Sequence, residues 1–145
     1  MLGLIQSGID SGATVVTGGG IPESLPTGYY VQPTLLSDVD PDARVAQEEI
    51  FGPVLSVTPY DTDDEAIAIA NNSIYGLSGE VSSADTERAL RVAQRMRTGS
   101  VTINGKSFFG ITSPFGGTKQ NGLGRRNGDE GFKEYLEIKT IGLPD

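Results

Sequence analysis

The sequence predicts an α/β fold with a parallel sheet, and three observations predict it. Segments of helical and of strand character alternate through the middle of the chain. Glycine clusters such as Gly18-Gly19-Gly20 and Gly116-Gly117 suit tight turns between short elements. The 145 residues, 37% hydrophobic and 21% charged, are enough for one domain with its own core.

Leu2, Ile5 and Ile9 recur at helical spacing, and Gly12 can end that helix. No Ser, Thr, Asp or Asn precedes Leu2 as an N-cap, so the helix reads either as cut from a longer chain or as a frayed terminus. Thr14 to Thr17 is a short strand that runs into the glycine triplet. Gly28 to Val39 is rich in β-formers, but Pro33 marks it as an edge or irregular strand. Past Pro53, the run from Phe51 to Tyr60 is a better strand. Thr62 to Glu65, "TDDE", has the form of a capping box, and Ala66, Ile67 and Ala70 follow on a helix that stops near Asn71-Asn72.

Leu77 to Val81 is a brief strand, and Ser82, Ser83 or Asp85 can cap the next helix. Ala89, Val92, Ala93 and Met96 line one face of it, and Gly99 is placed to stop it. Arg88, Arg91 and Arg95 occupy another face, read as a solvated stripe with Glu87 and Arg91 four residues apart. Ser100 to Asn104 is a strand. Gly105 to Gly131 is a long glycine-rich segment anchored by Phe108, Phe109, Pro114 and Phe115, which argue against disorder. Tyr135 to Ile141 alternates polar and apolar residues and reads as a strand.

The formal net charge of −8, without a basic run, argues against nucleic acid or an anionic membrane as the main partner. No apolar run is long enough to cross a bilayer and no signal-peptide pattern opens the chain, so a cytoplasmic protein is the default reading. Cysteine and histidine are both absent. Disulfides, thiolate metal sites, His-based acid–base chemistry and a thiol nucleophile are therefore excluded within this sequence. No pair of acids has a supporting base or a metal-ligand set around it.

Three stretches stand out, and each alone has an ordinary reading. Glu48-Glu49 could be the solvated start of a strand, Ser113 to Gly117 an ordinary turn, and the tail a local edge. In order, however, "EEIFGPVLSV", "ANNSIYGLSGEV", "GSVTING", "SPFGGTKQNGLGR" and "GFKEYLEIKT" span nearly the whole chain. Together they resemble the carboxy-terminal part of the aldehyde dehydrogenase superfamily. The resemblance implies part of the family's catalytic domain, an open, mostly parallel sheet with flanking helices, plus a carboxy-terminal oligomerisation strand. Residues 1–131 would be the partial, aldehyde-binding catalytic domain and residues 132–145 the tail strand.

By the same resemblance, Glu49 is the acid that hydrogen-bonds the nicotinamide-side ribose of NAD or NADP, and Phe51 packs against the nicotinamide. The chemistry agrees. A carboxylate accepts strongly from two vicinal hydroxyls, and a phenyl ring offers a flat apolar surface. Gly52-Pro53 would fix the turn that aims both. Phe109 and Phe115 match positions lining the aldehyde tunnel, and Ser107 and Phe108 match variable positions at the same wall. Adjacent phenylalanines point to a hydrophobic aldehyde. Asn104 matches a residue of the closing strand, read as structural. Arg126 stands where the family usually carries an acid, a departure that bears on a local ion pair rather than on the active-site logic.

The family's cysteine attacks the aldehyde to give a thiohemiacetal. Hydride then leaves to the nicotinamide, and a glutamate-activated water releases the acid. An asparagine side chain and backbone N–H groups form the oxyanion hole. Those residues and the dinucleotide-binding domain are expected upstream, so no catalytic residue is assigned here. The isolated chain is expected to be inactive and to bind dinucleotide weakly. The partners implied are a small-molecule aldehyde and further copies in a homo-oligomer, dimer or tetramer, through the tail strand. The rival reading is a stand-alone, non-catalytic protein that binds subunits or other partners through its strand edges. A small enzyme with its own carboxylate chemistry is the third.

Overall fold

A computed structural model of the chain describes residues 1–106 and 110–144. Within them the chain gathers into two compact units, Met1–Asn72 and Ser73–Asp145. The division falls inside the stretch that the sequence assigns to one partial catalytic domain.

The first unit begins with α1 (Leu2–Asp10), which has Met1 at its N-cap and no side-chain cap hydrogen bond. Strands β1 (Thr14–Thr17), β2 (Thr34–Ser37) and β3 (Val54–Ser56) form one sheet with β2 in the centre. β1 pairs antiparallel to β2, with Val15 opposite Leu36, and β3 pairs parallel to it, with Thr34 opposite Val54. The stretch expected as an edge or irregular strand is irregular up to Pro33, and its strand, β2, is central rather than at the edge. Pro33 stands just before the ladder rather than in it, so its missing N–H removes no sheet bond. The strand expected from Phe51 to Tyr60 is reduced to three residues, because Gly52-Pro53 turns the chain ahead of it.

Leu36 is fully buried and forms the core with Val39 and Val45. Ala13, Ala43, Ile50 and Val54 pack around that cluster. Val45 belongs to α2 (Arg44–Gln47), a single turn between β2 and β3 that the sequence reading did not anticipate. Gly8 lets α1 close on this core, since a Cβ there would lie 3.0 Å from Val45 Cγ1 and 3.1 Å from Leu36 Cδ1. Helix α3 (Asp63–Asn71) starts as the capping box predicts. Glu65 N–H donates to Thr62 Oγ1 at 3.2 Å, while Glu65 Oε2 accepts from Asp61 N–H at 2.8 Å.

The second unit is built on a βαβ element. Strands β4 (Ser78–Val81) and β5 (Ser100–Ile103) pair in parallel, and α4 (Thr86–Ala93) connects them and packs on both. Asp85 caps α4 by accepting from Arg88 N–H at 3.0 Å. Ala89 is completely buried, whereas Met96 lies beyond the helix, which ends at Ala93. Gly99 cannot carry a side chain, because a Cβ there would run into the Gly116 carbonyl.

The glycine-rich segment holds more regular structure than expected. Phe115 and Arg126 exchange backbone hydrogen bonds of 2.7 Å in both directions. A 3-10 turn covers Lys119–Asn121, and α5 spans Gly128–Lys133. The 3-10 turn is stitched to the loop before β4: Gln120 N–H donates to Ile74 O at 3.0 Å and Lys119 Nζ to Ser73 O at 2.8 Å. The tail strand expected from Tyr135 to Ile141 is one that pairs with a neighbouring subunit. No strand lies among the described residues after α5, and Tyr135, Ile138, Ile141 and Leu143 are exposed. An extended segment becomes a strand only where a neighbour supplies its ladder, and here none is paired with it. No helix of the described residues is long and apolar enough to cross a membrane.

Two substitutions test this packing. Leu36→Ala should destabilise the chain by about 2–5 kcal/mol, against under about 1 kcal/mol for Leu55→Ala on exposed β3, read from urea unfolding. Gly99→Ala should cost about 1–3 kcal/mol by forcing the Gly116 backbone away.

Candidate functional site

The turn from Glu48 to Pro53 follows α2 directly, and each of its side chains goes a different way. Glu48 folds back on the helix. Arg44 Nε donates to Glu48 Oε1 at 2.7 Å and Arg44 Nη2 to Glu48 Oε2 at 3.0 Å, a two-pronged pair one helical turn apart. This hydrogen bond, aided by the guanidinium charge, holds the Glu48 carboxyl below its ordinary value and lifts Arg44 above its own. Glu49 is exposed, and its carboxylate has no hydrogen bond or ion pair among the described residues. Ile50 turns inward onto the core cluster. Phe51 turns outward and is 86% exposed.

Phe51 also carries a positive φ of 54°. A bulky L residue pays in steric strain for that conformation, and nothing buries the ring in return. The backbone beyond it is held. Val54 N–H donates to Gly52 O at 2.8 Å, and Thr34 N–H of β2 donates to Pro53 O at 2.8 Å. The result is a fixed turn that offers a free carboxylate and an exposed phenyl ring two residues apart. Hydroxyl donors and a flat apolar ring are the ligand groups this pair can accept.

Of the predicted aldehyde-facing residues, Ser107, Phe108 and Phe109 lie outside the described residues. Phe115 belongs to the second unit. Half-buried, it lines a cavity of about 240 Å³ together with Val101, Pro114 and Asn127. Asn104 is structural, as read from the sequence. Its Oδ1 accepts from Ser83 N–H at 2.9 Å and its Nδ2 donates to Ser83 O at 3.0 Å, which secures the end of β5. Arg126 contributes its backbone to the bridge with Phe115.

Sequence reasoning passed over Arg44 and Gln47. The four-residue spacing of Arg44 and Glu48 was a usable signal, but α2 is too short to announce itself by periodicity. The pair gives a pH test. A depressed carboxyl stabilises the fold above its ordinary value of 4.5 and loses that contribution as pH falls through the folded value. Side-chain NMR should therefore show Glu48 titrating below 4.5, with Arg44→Ala returning it to the ordinary range.

Comparison with known proteins identifies the family. The aldehyde dehydrogenase family model matches residues 1–141. A 3-succinoylsemialdehyde-pyridine dehydrogenase from Pseudomonas is 51% identical over 138 residues, covering 94% of this chain and 29% of that protein. The crystal structure of a Mycobacterium tuberculosis aldehyde dehydrogenase complexed with NAD+ superposes with a TM-score of 0.89 at 49% identity, over 99% of this chain and 29% of that one. A Pseudomonas syringae aldehyde dehydrogenase C mutant, complexed with NAD+ and octanal, gives 0.87 at 48% identity, over 97% of this chain and 29% of that one. The chain thus spans under a third of the length of the relatives it matches. With its motifs, its α/β fold and a family match over almost every residue, this chain belongs to the aldehyde dehydrogenase family.

Proposed function

We propose that this chain is the carboxy-terminal part of an NAD(P)+-dependent aldehyde dehydrogenase that oxidises an aldehyde to a carboxylic acid. The observation that carries the reading is the split between the two acids. Glu48 is bound to Arg44, while Glu49 and Phe51 stand unengaged on a turn held at both ends. A ribose diol suits the free carboxylate and a nicotinamide ring suits the exposed phenyl, so the residues present fit the dinucleotide. Glu49 would hold the ribose and Phe51 would bear on the ring. When bound, the dinucleotide supplies the hydride acceptor. The cysteine nucleophile has to come from outside this sequence, which contains none. The chain alone is accordingly expected to be inactive.

Phe115, with the phenylalanines before it in sequence, favours an apolar aldehyde, and the octanal complex of a 48% identical relative supports that class. A preference for short charged aldehydes in steady-state kinetics would remove this part of the proposal. The exposed tail, with Tyr135, Ile138 and Ile141 turned to solvent, favours pairing with another subunit in a homo-oligomer.

The deciding experiment uses the full polypeptide that carries this sequence. Glu49→Gln should raise the dinucleotide KM by about 10- to 100-fold, the loss expected for one charge-assisted hydrogen bond. An unchanged KM would remove Glu49 from the site. Phe51→Gly should also weaken dinucleotide binding, yet leave unfolding stability within about 1 kcal/mol. Relief of about 1–2 kcal/mol of left-handed strain offsets the added chain entropy of glycine, about 0.5–1 kcal/mol. A large stability loss would show that the ring serves folding instead.

A further inference from the structure

We infer that Gln47 is a positioning residue, which sets where the Glu49 carboxylate meets the dinucleotide ribose. The inference rests on the role proposed for Glu49 and adds a residue to it. Gln47 ends α2, two positions before Glu49. Its side-chain Nε2 donates to Pro41 O at 2.6 Å and to Asn72 O at 2.7 Å. Both N–H groups of the amide are used, on two carbonyls 31 positions apart in the chain (72 − 41). Asn72 is the C-cap of α3, and its Nδ2 donates in turn to Asp42 Oδ1 at 2.7 Å.

One side chain thereby ties the turn before α2, the end of α2 and the end of α3 together. The neighbouring fixtures have other duties. The Arg44–Glu48 pair reaches no farther than α2 itself, and Thr34 holds the turn only from its far end at Pro53. At the near end, Gln47 adds a hydrogen-bonded tie between the backbone leading into Glu49 and the rest of the unit, beside the apolar packing of Val45 and Ile50. A free carboxylate has no contact of its own to aim it, so its placement depends on that backbone.

The test uses the full enzyme that carries this sequence, with NAD+ as the varied ligand. Gln47→Met keeps the length and removes the donors, and Gln47→Lys restores donors on a flexible stem one bond longer. Gln47→Met should raise the NAD+ KM about 3- to 10-fold and leave the aldehyde KM unchanged, as expected for lost hydrogen bonds. Gln47→Lys should return the NAD+ KM to within about twofold of the parent. In a Glu49→Gln background, Gln47→Met should add nothing, because the group it aims has gone. A merely structural glutamine would lower the melting temperature with the NAD+ KM unchanged, or add its full effect to Glu49→Gln, and either result overturns the inference. A silent Glu49→Gln overturns the reading of Glu49 and this inference together, whereas a damaging Glu49→Gln beside a silent Gln47→Met overturns this inference alone. If Gln47→Met does not fold, Gln47→His, which keeps one donor, is judged by the same outcomes.

Discussion

Thr34 joins two loops of the first unit, the one after β1 and the turn before β3, to one strand. It is only 4% exposed, and its N–H and its hydroxyl are both engaged. Its N–H donates to Pro53 O at 2.8 Å, its hydroxyl donates to Gln32 O at 2.8 Å, and its Oγ1 accepts from Gly19 N–H at 2.9 Å. A buried hydroxyl left unpaired would cost about 1–3 kcal/mol, so this connection has to be kept or abandoned as a whole. Gly18 belongs to the same junction, since a Cβ there would collide with the Pro33 carbonyl. Two residues along β2, Leu36 anchors the core. The central strand therefore holds the hydrophobic cluster and the far end of the Glu48–Pro53 turn at once.

The turn shows how one short motif divides its labour. Four consecutive residues are assigned in turn to the helix, to solvent, to the core and to solvent again: Glu48, Glu49, Ile50 and Phe51. Ile50 is the fulcrum. Its packing against the Leu36–Val39–Val45 cluster fixes the backbone on either side, so the residues flanking it are presented rather than left to wander. The left-handed Phe51 is the cost, about 1–2 kcal/mol by the usual measure. The packing of Ile50 and the bond from Thr34 to Pro53 are together large enough to sustain it.

How far the sequence could be read depended on the range of the interactions involved. Capping is local, and both caps were legible: Thr62 with Glu65, and Asp85 ahead of α4. The strand positions of β1 and β5 were legible too, because their β-rich runs lead into Gly18 and Gly105. The rank of β2 in its sheet was not, since it depends on β3 pairing from 20 positions away (54 − 34). α5 was missed because Gly128 and Gly131 lower its propensity, and the Phe115–Arg126 bridge that frames it is long-range. Alternation in the tail described what Tyr135 to Ile141 could pair with rather than what they do pair with. At the site, motif likeness singled out Glu49 and Phe51, yet it said nothing of Arg44 or Gln47, whose roles appear only once partners in space are known.

The chemistry available to the chain follows from what it lacks and what it leaves open. With neither cysteine nor histidine, it offers no strong nucleophile and no base near neutrality. Its unengaged groups at the turn are an acceptor and an aromatic ring, which bind and orient. In the proposed enzyme such contacts fall on the ribose and the ring face, away from the carbon that reacts. Their value to the rate then lies in alignment: contacts remote from the reacting centre hold the partners in an attack geometry that free diffusion seldom supplies. Alignment is only as good as the rigidity beneath it. That is why the turn is braced by Gln47 on one side, Thr34 on the other and Ile50 below, while Glu49 itself is left without an internal partner.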